Sequence, residues 1–339
     1  MSMRVLVTGA TGLVGFEVME ALRLAGMETV VGVSRPRSSV AGGTVAWDMS
    51  SEPAPAELHG RWDAIVHTAA DTRWTMELAE AARANVDTVR ALAPLVSAGT
   101  HLVHVSTAYS VGLRGDVSSE DLADYRNSYE WSKAHAERLV GTTFDRPTIV
   151  RPPLIVGRSG NGRAARFAGM YTLLRAMSAS MVPVVVAEAD AFLDVVPVDA
   201  VARVLVEAVR GEGRGETWVV AGGQAAPTVE AAVELMTVEL NGWREERELE
   251  PFDVPRLLSR ESWKRFFEPF VRDELSPRQR SILGLLSNFE PYLAIREPLA
   301  VTHPIEGVEP AITASVRYWA DCEHHRASLP PRPWMAPAR

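Results

Sequence analysis

Short apolar runs recur along the first half of the chain, at Arg4–Thr8, Thr29–Ser34, Thr44–Trp47, Ala64–His67, Leu102–Ser106 and Thr148–Arg151. They are rich in valine and isoleucine and mostly continuous rather than alternating, which predicts strands buried on both faces. Between them the pattern predicts helices over Val14–Leu24, closed by Gly26, over Met76–Val96, and over Tyr129–Val140, closed by Gly141. Strand–helix alternation of this kind predicts a parallel sheet with right-handed crossovers, a doubly wound α/β fold. After Arg151 the rhythm loosens. Pro152–Gly162 reads as a loop, Phe167–Met177 and Asp199–Val209 as helices, and Thr217–Ala221 as a strand. From about Arg244 charges and prolines break the pattern, and aromatics are frequent in and just before this stretch: Trp243, Phe252, Trp263, Phe266, Phe267, Phe270, Tyr292 and Trp319. This stretch is expected to form a smaller, mostly helical C-terminal cap that binds substrate. The expected division is 1–157 plus about 190–225 for the sheet domain, and about 158–189 plus 226–339 for the cap. The proline-rich end, Leu329–Arg339, is expected to be extended.

Composition narrows the function. With 339 residues, 47% hydrophobic and 23% charged, the chain can bury a sizeable core in one large or two intimate domains. A net charge of −8 argues against nucleic acid and acidic membrane surfaces as partners. One cysteine, Cys322, rules out an intramolecular disulfide framework and a cysteine-rich metal site. The eight histidines show no pairing that suggests a metal. The longest apolar run, Met181–Ala187, is far too short to span a bilayer, and no basic-then-apolar leader opens the chain, so a cytoplasmic protein is expected. Arginine supplies nearly all the positive charge; the only lysines are Lys133 and Lys264.

The first strand runs into Gly9-Ala10-Thr11-Gly12-Leu13-Val14-Gly15, which opens the first helix. Gly9 suits a tight turn, Gly12 lets backbone N–H groups reach a pyrophosphate, and Gly15 lets helix and strand approach. An NAD enzyme usually places an acid after the second strand to hold the ribose 2′-hydroxyl. Here that strand ends Ser34-Arg35-Pro36-Arg37, and guanidinium groups suit a 2′-phosphate, so NADPH is expected. Asp48, followed by Met49, sits just after the third strand, either as an acceptor for the adenine amino group or as a turn residue.

Tyr129 and Lys133 lie four residues apart, on one face of a predicted helix. A cation there is expected to lower the phenol pKa and make it a better proton donor. His104-Val105-Ser106-Thr107-Ala108-Tyr109 carries a strand to the carboxyl edge of the sheet, where ligands bind in open α/β folds. A hydroxyl there, Ser106 or Thr107, can hydrogen-bond a carbonyl as an oxyanion forms. Residues 146–187 carry six arginines, among them Arg158, Arg163 and Arg166, and no acid. The segment is a candidate positive patch for the phosphates of CoA, of a phosphopantetheine arm or of NADPH itself.

The glycine turn, His67-Thr68-Ala69-Ala70, Asn85-Val86, the hydroxyl loop, Tyr-x-x-x-Lys, Arg151-Pro152-Pro153 and Val196-Pro197-Val198-Asp199 occur in the order of an extended short-chain dehydrogenase/reductase, which the chain resembles over about residues 1–240. More narrowly, His-Val-Ser-Thr-Ala-Tyr, Tyr129-x-x-Ser132-Lys133-x-x-Ala136-Glu137 and His67–Trp74 resemble the fatty acyl-CoA reductase and carrier-protein thioester reductase branch, whose members reduce thioesters with NADPH to aldehydes or alcohols. The resemblance implies Thr107 as the catalytic hydroxyl and Tyr129 as the acid. It implies Lys133 as the residue that holds the nicotinamide ribose and tunes Tyr129, and Asn85 as the support of a proton relay through water. It extends the cofactor contacts to Thr68, Ala69, Ala70, Ser106, Pro152, Pro153 and Ile155, and makes Tyr109 a substrate contact. No adenylation or carrier domain is expected, so a thioester would be delivered by coenzyme A or another protein. A plain aldehyde or ketone reductase, a nucleotide-sugar epimerase or dehydratase, and a non-catalytic NADP-sensing regulator are the alternatives. Retention of both Tyr129 and Lys133 argues against the last. Monomer and homodimer are equally open.

Overall fold

In a computed structural model, the structure describes residues 3–27, 29–36, 44–178, 184–271, 280, 284 and 286–331. The chain divides into two compact units. The first comprises Met1–Pro153, Val198–Ala221 and Val301–Pro304; the second comprises Leu154–Pro197, Gly222–Ala300 and Ile305–Arg339.

The first unit is built on strands β1 (Arg4–Thr8), β2 (Thr29–Ser34), β3 (Thr44–Ala46), β4 (Ala64–His67), β5 (His101–Val105), β6 (Thr148–Arg151), β10 (Thr217–Ala221) and β12 (His303–Pro304). The second holds β7 (Leu154–Val156), β8 (Val184–Val186), β9 (Val195–Pro197) and β11 (Arg256–Leu258). In the first unit eight strands form one sheet in the order β12-β10-β6-β5-β4-β1-β2-β3, every adjacent pair parallel. This is the doubly wound Rossmann arrangement. The strand order reverses between β1 and β4, the point at which such sheets open a crevice at their carboxyl edge. The connecting helices are α1 (Leu13–Leu24), the pair α2 (Leu78–Ala82) and α3 (Thr88–Arg90), α4 (Ser128–Thr143) and α6 (Val198–Val209). Helix α1 packs against α6, and α4 packs against α2 and α3. Right-handed crossovers on either side of the reversal place α1 and the α2–α3 run on opposite faces. Leu6, Ile65 and Leu102 from the sheet meet Trp62, Leu92 and Val140 in a buried core.

Two helices differ from the sequence pattern. The run expected over Met76–Val96 is broken: α2 passes into a π-helical turn, Arg83–Asp87, then α3, then a 3-10 turn, Ala93–Leu95. The π turn contains Asn85, whose side chain is tied outside its own helix; the 3-10 turn contains Pro94, which lacks an N–H for an α-helical bond. Helix α4 does not stop at Gly141 but runs on to Thr143. Its start is well fixed, with the Asn127 side chain accepting from the Glu130 N–H at 3.0 Å and the Glu130 carboxylate accepting from the Arg126 N–H at 3.1 Å. A methyl group at Gly141 would meet nothing, so the packed face carries the helix through a residue that costs only about 1 kcal/mol.

The second unit has more strand than the cap anticipated from sequence. It forms two parallel pairs, β7 with β9 and β8 with β11. Its core is built by α5 (Met170–Ser178), α7 (Val229–Glu245) and the helix Val308–Cys322, which bury Leu174, Met236, Trp243, Ile312 and Trp319. The expected extended end lies, from residue 332, outside the described residues.

Arg244 holds three segments of this unit together. Buried at the end of α7, it donates through Nε to the Glu250 carbonyl at 2.7 Å and through a terminal nitrogen to the Ala327 carbonyl, and its guanidinium lies 4.1 Å from the Phe252 ring centroid. Arg244→Met keeps the stem but strands two carbonyls. It is expected to cost about 2–4 kcal/mol, read as a lowered midpoint in urea or thermal unfolding.

Candidate active site

The carboxyl ends of β1, β4, β5 and β6 lie side by side, and the candidate residues of the first unit leave from them. At the end of β1, Gly9 has φ +70, and a Cβ there would sit 2.8 Å from the Ala69 backbone; a Cβ on Gly15 would sit 2.1 Å from the Gly9 carbonyl oxygen. The turn is therefore folded onto itself and onto Thr68–Ala69, closer than side chains allow. The Thr68 hydroxyl donates to the Thr8 carbonyl at 2.7 Å and fixes this junction. The Gly12 N–H donates to the Gly9 carbonyl at 2.8 Å. The donors available to a phosphate are thus the first-turn amides of α1 from Leu13 and Val14 onward, which have no intrahelical acceptor. Thr11 and Ala70 are part-buried on this rim.

Beyond β2, Arg35 is exposed, and its charge helps hold the Asp48 and Asp71 carboxyls low. Arg37 lies outside the described residues. Asp48 is a turn residue: its Oδ1 accepts from the Ser50 hydroxyl at 2.6 Å and the Ser50 N–H at 3.1 Å, and the hydroxyl bond is the main cause of its lowered pKa. Met49 is buried in the core beside it.

Thr107 follows β5 and caps the 3-10 turn Ala108–Val111, its hydroxyl accepting from the Tyr109 N–H at 3.4 Å. Tyr129, in the first turn of α4, lies beside the Thr107 side chain. Its pKa is raised, first by burial of the hydroxyl and then by the Glu130 charge, with the Thr107 side chain opposing. The expectation that Lys133 would pull the phenol down is not met. The Lys133 ammonium is turned toward β5, donating to the Val105 carbonyl at 2.8 Å and lying 3.5 Å from His104 Nε2. Burial lowers its own pKa to about 8, against the pull of Glu137. The phenol is therefore held protonated, a donor at neutral pH, and the ammonium sits one helical turn along.

A second set of bonds locks these elements. Glu137, buried one turn beyond Lys133, accepts from the Ser110 hydroxyl at 2.7 Å and from Arg151 Nε at 3.0 Å. The Ala108 N–H donates to the Pro152 carbonyl at 2.8 Å, tying the hydroxyl loop to the Pro152–Pro153 end of β6. Arg151 is thereby neutralised by an acid from outside the arginine-rich segment, and Arg146 donates to the Arg214 carbonyl at 3.0 Å. The six arginines therefore do not form one free patch. Arg158 is part-buried, whereas Arg163 and Arg166 are exposed, all three in the second unit, as is Ile155 in β7. Asn85 Nδ2 donates to the Asp71 carbonyl at 3.0 Å and the Ser132 hydroxyl at 2.8 Å, and its Oδ1 accepts from the Asp71 N–H at 2.7 Å. Its side chain clamps the loop after β4 to α4. Sequence reasoning missed Glu137 and Ser110 as the brace of the hydroxyl loop; an acid at helical spacing after the lysine was the available signal.

The residues suit a nicotinamide dinucleotide. The glycine cradle is shaped by close approach of backbone and the Thr68 hydroxyl, and the buried Ser106 Oγ just after β5 has no hydrogen-bond partner. Among the described residues no group of His, Cys, Asp or Glu is placed to hold a metal, and no helix is long and apolar enough to cross a membrane.

Comparison with known proteins agrees with this fold. Residues 51–205 match the model of an NAD-binding family described as Male sterility protein. No curated protein matches the sequence. The terminal R domain from the myxalamid PKS-NRPS biosynthetic pathway is similar in structure, with a TM-score of 0.70 at 20% identity over 98% of this chain and 93% of that one. A thiolation-reductase di-domain from an archaeal non-ribosomal peptide synthetase has a TM-score of 0.64 at 15% identity, covering 96% of this chain and 76% of its own. MoeE5, in complex with UDP-glucuronic acid and NAD, has a TM-score of 0.61 at 22% identity, covering 94% of this chain and 99% of its own. At these identities the structural likeness speaks for the fold. Together, the family match over residues 51–205 and the structural likeness support a Rossmann fold with an NAD-binding domain.

Proposed function

We propose that this chain is an NADPH-dependent reductase acting on an acyl thioester, bound to coenzyme A or to a carrier protein, or on the derived aldehyde. The observation that carries the reading is the placement of Tyr129 beside Thr107 at the carboxyl edge of the sheet, with the buried Lys133 ammonium one helical turn away. Reduced nicotinamide, when bound, supplies the hydride. The Thr107 hydroxyl and Tyr129 phenol are the donors for the substrate carbonyl oxygen, and the protonated phenol gives up its proton as charge grows there. Lys133 has three N–H donors, of which the Val105 carbonyl takes one, so it can hold a ribose hydroxyl with another. With a thioester, departure of the thiol then leaves an aldehyde.

Two features support the finer assignment. Arg35, with no acid beside it on β2, suits a 2′-phosphate. The second unit contains an apolar cleft, lined by Leu154, Met170, Leu173, Leu193, Phe289 and Leu293, whose chemistry suits an acyl chain better than a sugar nucleotide. The likeness to MoeE5 with its UDP-sugar makes a nucleotide-sugar epimerase the second reading.

NADPH is expected to bind about tenfold tighter than NADH, about 1.4 kcal/mol, and Arg35→Ala to remove most of that preference. Fluorescence titration of both cofactors checks it, and equal affinities in the wild type would overturn the choice of NADPH. Tyr129→Phe keeps the ring and loses the proton donor. It should cut turnover by roughly 10²–10⁴ with cofactor affinity nearly intact. NADPH oxidation against a panel of acyl-CoAs, carrier-bound thioesters, aldehydes and UDP-sugars decides the substrate. Turnover of aldehydes alone would move the assignment to a plain aldehyde reductase, and conversion of a UDP-sugar to an epimerase.

A further inference from the structure

A row of polar side chains crosses three strands of the first unit and ends at Lys133. Thr8, His67 and His104 are register neighbours, Thr8 opposite His67 between β1 and β4, and His67 opposite His104 between β4 and β5. Residues opposite one another in parallel strands point to one face of the sheet. The Thr8 hydroxyl lies 2.8 Å from His67 Nδ1, and the two imidazoles stack with centroids 5.3 Å apart and an interplanar angle of 21°. His104 Nε2 lies 3.5 Å from the Lys133 ammonium. All four side chains are buried.

The ammonium fixes the state of the row. Burial and the Lys133 charge both hold the two imidazoles neutral, so His104 faces Lys133 with an unprotonated Nε2 and carries its proton on Nδ1, which has no partner. A neutral acceptor is the only state of His104 that leaves the ammonium uncontested. With one N–H on the Val105 carbonyl and one directed at His104, Lys133 keeps a single N–H for a ligand.

We infer that His104 is a positioning residue for Lys133: its Nε2, stacked on His67 across the sheet, takes one ammonium N–H and thereby aims the remaining one at the bound cofactor. This rests on the cofactor-holding role of Lys133 proposed above. Besides the two imidazoles, the charged group bearing on the lysine is Glu137 of its own helix, itself bonded to Arg151 of β6. On the β5 side the ammonium meets two acceptors, the Val105 carbonyl and His104 Nε2.

The sign of the expected effect follows from the protonation state. The ammonium is present below its folded pKa of about 8 and is lost as pH rises through that value. An acceptor on the ammonium favours the charged form, so removing it moves the loss to lower pH. The test measures NADPH affinity of the full chain from pH 6 to 10 by nicotinamide fluorescence. Wild-type affinity should hold to about pH 8 and fall above it. In His104→Leu the fall should begin about half a pH unit lower, with affinity about twofold weaker at pH 8. His104→Gln, whose amide oxygen can accept, should stay near the wild type. If His104→Leu does not fold, His104→Phe, a ring without an acceptor, takes its place. A wild-type limb in a folded His104→Leu would overturn the inference. So would an equal shift in His104→Gln, since ring packing alone would then explain it. Lys133→Met is the control: if it binds NADPH as the wild type does at every pH, the role of Lys133 itself falls and this inference with it.

Discussion

Parallel strands cannot place one functional end here and another there: every carboxyl terminus must emerge on the same edge. That constraint brings the ends of β1, β4, β5 and β6 together, although they are separated by up to about 140 residues of sequence. The glycine turn, the Thr68 hydroxyl, Ser106, Thr107 and the Pro152 carbonyl are all consequences of it. The closeness of the Gly9 turn to Ala69 is possible only because β1 and β4 are register neighbours.

Within that edge, burial does the electrostatic work. Lys133 and Tyr129 are shifted in the directions that burial demands: the ammonium becomes easier to deprotonate, and the phenol harder. A simple pairing of the two would have lowered the phenol. The structure instead uses the cation against β5 and keeps the phenol as a donor beside Thr107. Glu137 is the counterweight. Its carboxylate raises the Lys133 pKa and also binds Ser110 and Arg151, so one buried charge supports the lysine and braces the loop that presents Thr107. Losing such a group leaves an uncompensated, part-buried guanidinium as well as a loosened loop.

Local pattern made the six core strands, the glycine turn and the placement of Tyr129 and Lys133 on one helix legible. Each rests on information within about ten residues: apolar runs, a strand–glycine–helix order, and a four-residue spacing. The features not legible depend on distant partners. The π turn at Asn85 arises where that side chain bonds Asp71 and Ser132, and no periodicity encodes a bond across 47 residues. The arginine-rich segment reads as unpaired because its counter-ion, Glu137, stands outside it. The helix Val229–Glu245 was legible but missed: Thr228 accepts from the Ala231 N–H at 3.2 Å, and Val229, Ala232, Val233, Met236, Leu240 and Trp243 follow at helical spacing. Its proximity to the charge-rich stretch after Arg244 masked an ordinary amphipathic signal.

The two histidines of the sheet show how a sequence motif can hold more than one kind of information. In His104-Val105-Ser106-Thr107 the strand alternates between its faces. The hydroxyl of Thr107 meets Tyr129, the carbonyl of Val105 takes the lysine, and His104 lies beside that same lysine from the sheet. Three of these four consecutive residues thus bear on the tyrosine–lysine pair. The neutral imidazole is tolerated in the core because its neighbours are a second neutral ring and an ammonium, a combination with one charge rather than two. Replacing His67 by a cation would add a second charge to the same buried row and oppose the Lys133 ammonium, so the polarity of β4 and the charge of α4 constrain one another across the sheet.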